Sequence, residues 1–206
     1  MTIDIGGDEI HALNCVRNLG AYFDKHMTME QHVKSKCRAA YAQLYNIGKV
    51  RKYIDHQSAE KLIHTLVHSH IDYCNALLIG LPKYLIQELE MVQNTAARVF
   101  CTIGKYDHIT SPLKALHWLP VEFRIKYKTC LLPFNFLHGH GPEYISQMLI
   151  PIIIHYGLRR QDNLTLVMPR TKRKTLGDWA FKVAVPKLWN LLPKDVRSCN
   201  DVGVLK

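Results

Sequence analysis

The 206-residue chain carries 27 lysines and arginines against 17 aspartates and glutamates, for a formal net charge of +10. That excess favours a polyanionic partner, nucleic acid ahead of an acidic membrane surface, and the length suffices to bury a real core in one large or two small domains. The six cysteines (Cys15, Cys37, Cys74, Cys101, Cys130, Cys199) form no CxxC pair and fit a reducing intracellular compartment. Asp4, Asp8 and Glu9 interrupt any N-terminal signal-peptide core, and no apolar run reaches the length of a membrane span.

Residues 1–24 read as β structure. Runs at 2–5 and 9–13 flank Gly6-Gly7-Asp8, a hairpin turn, and 16–23 is a third strand-like run with Gly20 inside it, where a bulge or close approach is expected. Thr28-Met29-Glu30-Gln31 fits a capping box that starts a helix to about Val50. Its apolar face carries Val33, Cys37, Ala40, Leu44 and Ile47, and Lys34, Lys36, Arg38, Lys49, Arg51 and Lys52 lie on or just beyond it, interleaved with Tyr41, Tyr45 and Tyr53. Residues 58–100 then form a helical hairpin broken at Gly80-Leu81-Pro82. The first helix carries a stripe of Leu62, Ile63, Leu66, Val67, His70, Ile71, Cys74, Leu77 and Leu78; the second carries Leu85, Leu89, Val92, Ala96 and Val99, flanked by Gln93, Asn94 and Arg98.

Ser111-Pro112 caps a short helix to about Leu116. A longer helix runs over 120–138, which Pro133 should kink or end. A short helix over 144–149, a short strand over 164–168 and a final helix packed by Trp189 follow. The fold class is therefore mainly α: a short N-terminal β-hairpin or three-strand piece, a helical bundle over 25–104, and a mixed, less regular extension over 105–206.

Chemistry-bearing clusters are sparse. His64 and His68 stand one helical turn apart, but Thr65 occupies the position where a zincin needs Glu, so the pair reads as solvated or core-edge, not as a metal site or metal-dependent hydrolase. Asp72 has no second acid within a turn and reads as a hydrogen-bonded partner for a neighbouring helix or for an arginine such as Arg98. The cysteines read as small core hydrophobes. The basic helix over 34–52 is the leading binding candidate, its tyrosines placed to stack while Lys and Arg neutralise phosphates. Arg170, Lys172, Arg173 and Lys174 form a second basic run in a loop.

Several blocks recur in a recognisable order: Arg17-Asn18-Leu19-Gly20, His68-Ser69-His70-Ile71-Asp72-Tyr73-Cys74-Asn75, Val92-Gln93-Asn94-Thr95-Ala96-Ala97-Arg98, Leu116-His117-Trp118-Leu119-Pro120-Val121 and Pro186-Lys187-Leu188-Trp189-Asn190-Leu191-Leu192-Pro193. With them the chain resembles the C-terminal part of reverse transcriptases of LINE-type (non-LTR), jockey-like retrotransposons. The resemblance implies that 16–23 is primer grip, with Arg17, Asn18, Leu19 and Gly20 as its residues, and that 28–103 is the thumb that holds an RNA/DNA template–primer duplex. The remainder would be a family-specific extension. It also implies partnership with palm and fingers outside this sequence. The parent polymerase's Mg2+ would be held by the family's Tyr-X-Asp-Asp turn, upstream of the primer grip, and no Asp-Asp pair occurs here. The chain is thus expected to be non-catalytic, without a cofactor or metal of its own, off the membrane and intracellular, in nucleus or cytoplasm. Leu132-Pro133-Phe134 departs from the family pattern, so that helix is expected to have decayed. The competing reading is a helical protein–protein interaction module with no nucleic-acid role.

Overall fold

The structure is a computed structural model and describes residues 2–152, 164–172 and 176–199. It is mainly helical, and among the described residues the paired strands lie at the N-terminus. The chain divides into two compact units, Met1–Cys74 with Leu81–Trp118 and Asn75–Gly80 with Leu119–Lys206. The expected boundary at 104/105 falls inside the first unit.

In the first unit, β1 (Thr2–Ile5) and β2 (Asp8–His11) pair antiparallel around Gly6 and Gly7, whose positive φ values suit a two-residue hairpin turn. The third strand-like run is in fact a second hairpin, β3 (Cys15–Asn18) and β4 (Ala21–Asp24). Asn18 pairs with Ala21, so Leu19 and Gly20 form the turn itself, at φ 45° and 80°. Gly20 is therefore a turn residue and not a bulge within a strand. Leu19 holds its unfavourable left-handed conformation with help: the Tyr73 hydroxyl donates to its carbonyl.

Helix α1 (Glu30–Val50) buries Val33, Cys37, Ala40, Leu44 and Ile47 as its periodicity predicts, together with His32. Its start differs from the expected capping box. Met29 sits at the N-cap in the left-handed region, without a side-chain cap bond. The Asp24 carboxylate, at the end of β4, holds the corner that leads into α1, accepting from the His26, Thr28 and Met29 amides at 3.0, 3.0 and 2.8 Å and from Thr28 Oγ1 at 2.9 Å. Thr28 Oγ1 in turn accepts from the Glu30 amide, the first of the helix, at 3.4 Å.

The first helix of the hairpin is not continuous. It runs as α2 (His56–Ile63), a π-helical turn (His64–His68) and α3 (Ser69–Asp72), and it ends where Tyr73 turns extended and Cys74 turns left-handed at φ 56°. Leu66 and Leu77, expected on the stripe, are exposed, while His68 and Asn75 are buried. The second helix, α4 (Lys83–Cys101), buries Leu85, Leu89, Val92, Gln93 and Ala96 and packs against α1, with the α2–α3 segment against both. Thr102, left-handed at φ 55°, ends it. The short α5 (Thr110–Ala115) closes through His117 at φ 52°, with the Trp118 amide donating to the Leu113 carbonyl at 3.0 Å. Trp118 is thereby buried against His68, with ring centres 4.4 Å apart.

In the second unit, α6 (Val121–Leu137) continues past Pro133, so the helix has neither ended nor decayed there. Pro133 and Phe134 are both buried, and their packing offsets the hydrogen bond that proline cannot make. α7 (Glu143–Ser146) follows, and beyond it α8 (Leu176–Trp179), α9 (Phe181–Leu191) and α10 (Lys194–Arg197). Phe134, Ile145, Leu149, Leu166, Val185 and Trp189 form the core of this unit. The strand expected at 164–168 is a single antiparallel bridge, Pro151 to Leu166. Its outer edge is satisfied by side chains: Asn190 Oδ1 accepts from the Leu166 amide at 3.0 Å, Asn190 Nδ2 donates to the Leu166 carbonyl at 2.8 Å, and Trp189 Nε1 donates to the Leu164 carbonyl at 2.6 Å. The block around Trp189-Asn190 thus works as a clamp on an otherwise one-sided strand.

Candidate nucleic-acid interface

The α1 residues Lys34, Arg38, Tyr41, Tyr45 and Lys49 follow one another at intervals of three or four, which places them on one exposed stripe beside the buried face. The stripe runs into an open groove of about 1260 Å3 lined by Gly48, Lys49, Arg51 and Lys52, by Met91, Asn94, Thr95, Arg98 and Val99 of α4, and by 102–105. Five of these lining side chains are basic and none is acidic. The α1–α4 contact makes the groove, bringing Arg98 and Lys105 to lysines distant in sequence.

The basic residues differ in what they have free. Arg51 is largely committed to the fold: Nε and Nη2 donate to the Phe100 carbonyl at 3.0 and 2.8 Å, and Nη1 donates to the Ile54 carbonyl at 3.2 Å. It caps the end of α4, where unpaired carbonyls favour a cation. Arg98 donates from Nη2 to the Asp107 carbonyl at 3.3 Å, the partner the structure gives it in place of the expected Asp72. Lys49, Lys52 and Lys105 instead lie over the rings of Tyr45, Tyr53 and Tyr106, at 4.2, 4.8 and 5.5 Å from the ring centres. Such contacts with exposed rings are weak enough to be exchanged for a phosphate.

Other expected residues stand apart from the groove lining. Lys34 pairs with Glu30 one turn back on the stripe. Lys36 points elsewhere, over the Tyr73 ring at 4.1 Å; burial lowers its ammonium pKa, and the Arg17 charge adds to the effect. Arg17, Asn18 and Leu19 are exposed on the β3–β4 hairpin, with Gly20 half-buried against Tyr73 and Arg17 over the Tyr22 ring. Arg170 and Lys172 are exposed in the second unit, and Arg173 and Lys174 lie outside the described residues. Lys105, Asn94 and Thr95 are lining residues that charge-run reasoning over 34–52 passed over. The Lys105-Tyr106 pair repeats the Lys52-Tyr53 pair and was the available signal.

The histidine pair is a packing feature. His68 is buried and His64 exposed, their Nδ1 atoms 3.0 Å apart, with both rings edge-on to Trp118. The two nitrogens share one hydrogen bond, whose donor is set by the tautomers. Among the described residues no three His, Cys, Asp or Glu side chains are grouped to hold a metal. None of the six cysteines forms a disulfide, and burial pushes Cys37 and Cys130 up to about 11, the Glu88 charge adding to the effect at Cys37. Among the described residues no helix is long and apolar enough to cross a membrane. No family model matches the chain, and no curated protein or solved structure is significantly similar to it.

Proposed function

We propose that this chain is a non-catalytic part of a retrotransposon-type reverse transcriptase, corresponding to primer grip, thumb and the following extension, and that it contributes template–primer binding. The observation that carries the proposal is the groove with five basic lining residues, fed by the Lys34–Arg38–Lys49 stripe. A row of cations at helical spacing, opening on a concavity lined by cations and no acidic residue, suits a phosphate backbone better than it suits a protein surface of mixed charge. The ordered sequence blocks support the same reading. Polymerisation, and the Mg2+ it needs, is assigned to palm residues outside this sequence, and the working compartment is intracellular.

The test is a salt titration of binding to a labelled RNA–DNA hybrid by fluorescence anisotropy. If Lys34, Arg38, Lys49, Lys52 and Lys105 each neutralise one phosphate, the log–log slope is about −4.5 and affinity falls roughly 500-fold between 50 and 200 mM salt. A change of less than threefold over that range removes the proposal. A second reading, a protein-docking module, draws on Ile150, Ile152 and Val167, which stay exposed at the Pro151–Leu166 bridge. Stoichiometric retention of one protein partner in high salt, without nucleic-acid binding, would favour it.

A further inference from the structure

We infer that the groove of the first unit takes unpaired nucleotides, so that a strand leaving a template–primer duplex is gripped by base stacking in addition to phosphate contact; the inference rests on the nucleic-acid reading above. Three lysines that line the groove, Lys49, Lys52 and Lys105, each lie over a tyrosine ring, those of Tyr45, Tyr53 and Tyr106. The three rings are 66%, 76% and 90% exposed, so the fold does not use them as core. A ring in that state is available to stack, and the lysine beside it is available to meet the phosphate of the same nucleotide. The unit cation-plus-ring is repeated three times, its lysines lining one concavity and its rings just beyond that lining, from two segments distant in sequence, 45–53 and 105–106.

This arrangement selects against an intact helix. Paired bases are already stacked on their neighbours and offer their faces only at an end, whereas an unpaired base offers both faces to an aromatic side chain. Phosphate contacts alone would serve duplex and single strand alike, and would leave the three exposed rings without a role.

The experiment uses the full chain and three labelled ligands: a blunt RNA–DNA hybrid, the same hybrid with an unpaired overhang of about ten nucleotides, and a longer blunt hybrid matched to the second in phosphate number. The overhang ligand is expected to bind at least tenfold more tightly than the matched blunt one. Tyr45→Leu, Tyr53→Leu and Tyr106→Leu together should erase that increment, bringing the overhang and matched blunt affinities together, and the corresponding Phe variants should restore it, since each stacked base contributes roughly tenfold. Circular dichroism and thermal melting establish that the variants stay folded. Equal binding of overhang and matched blunt ligands overturns the inference while leaving the proposed function standing, as does a Leu variant that retains the increment. Absence of salt-dependent binding to all three ligands removes both readings.

Discussion

Replacing Asp24 by Ala tests whether one carboxylate joins the β3–β4 hairpin to α1. Three backbone amides and one hydroxyl donate to it, and only the Met29 amide lies in a part-buried setting. The three other donors recover water when the carboxylate is lost, so the cost is that of one hydrogen bond to a charged acceptor and not the sum of four bonds, about 2 kcal/mol. The pH dependence supplies a second signature. Burial pushes the Asp24 carboxyl upward, but the bonds from Thr28, Met29 and His26 outweigh it, and the folded-state pKa lies below its ordinary value. The extra stability is therefore present above the unfolded-state pKa of about 3.9 and is lost as pH falls through the lower folded-state value. Urea unfolding followed by far-UV circular dichroism should show a gap of about 2 kcal/mol between parent and Asp24→Ala at pH 7, closing as pH drops below about 4. A gap under ~0.5 kcal/mol at pH 7, or one that persists undiminished to about pH 2.5, refutes the role assigned to this carboxylate.

In the second unit, Asn190→Leu keeps the side-chain size but strips both partners from the Leu166 backbone, and the fall in unfolding free energy should be about 3 kcal/mol; a loss below 1 kcal/mol means that water replaces the clamp. Gly80→Ala would put a Cβ 2.2 Å from Trp179 Cδ1 at φ 78°, whereas Gly139→Ala, at φ 75°, meets nothing within 4 Å. The second variant should cost about 1 kcal/mol from backbone strain and the first at least 1 kcal/mol more, read from urea midpoints; equal costs would show that the indole moves aside freely. With thiol pKa values pushed to about 11 by burial, aided at Cys37 by the Glu88 charge, Cys37 and Cys130 should resist an Ellman-type reagent at pH 8 until urea is added. Rapid labelling of both in the native protein would contradict their burial.

Helix α1 was legible because its apolar residues keep one period from Val33 to Ile47 and all of them are buried. The segment before Gly80 was not, because the same apolar pattern fits an α-helix and one widened by a π turn; only packing decided that His68 would be buried and Leu66 exposed. Asp24 belongs to the strand side of the corner before α1, where no periodicity marks its role, while Thr28 stands where the helix start predicts it. Half of the groove was legible as a local run of charge at Lys49 and Lys52. Arg98 and Lys105 join it through the contact of α1 with α4, which no single stretch of sequence announces. Arg51 looked like part of that run, but the open carbonyls ending α4 claim its guanidinium.

The π turn at His64–His68 also fixes the phase of its helix. Ala59, Ile63, Val67 and Ile71 are all buried and recur every fourth residue, whereas an α-helix turns about 40° too far at each such step. Over three steps the drift is about 120°, enough to carry Ile71 off the buried face. The wider turn acts as a vernier that winds this excess back and keeps the seam aligned. A single-residue deletion between 64 and 68 would restore an ordinary helix and leave Ile71 within about 20° of the seam, whereas a single-residue insertion would rotate everything after it by about 100°, taking Ile71 off the seam and Tyr73 away from the Leu19 turn it holds. Substitutions and the loss of one residue can be absorbed along this segment; a gain of one cannot.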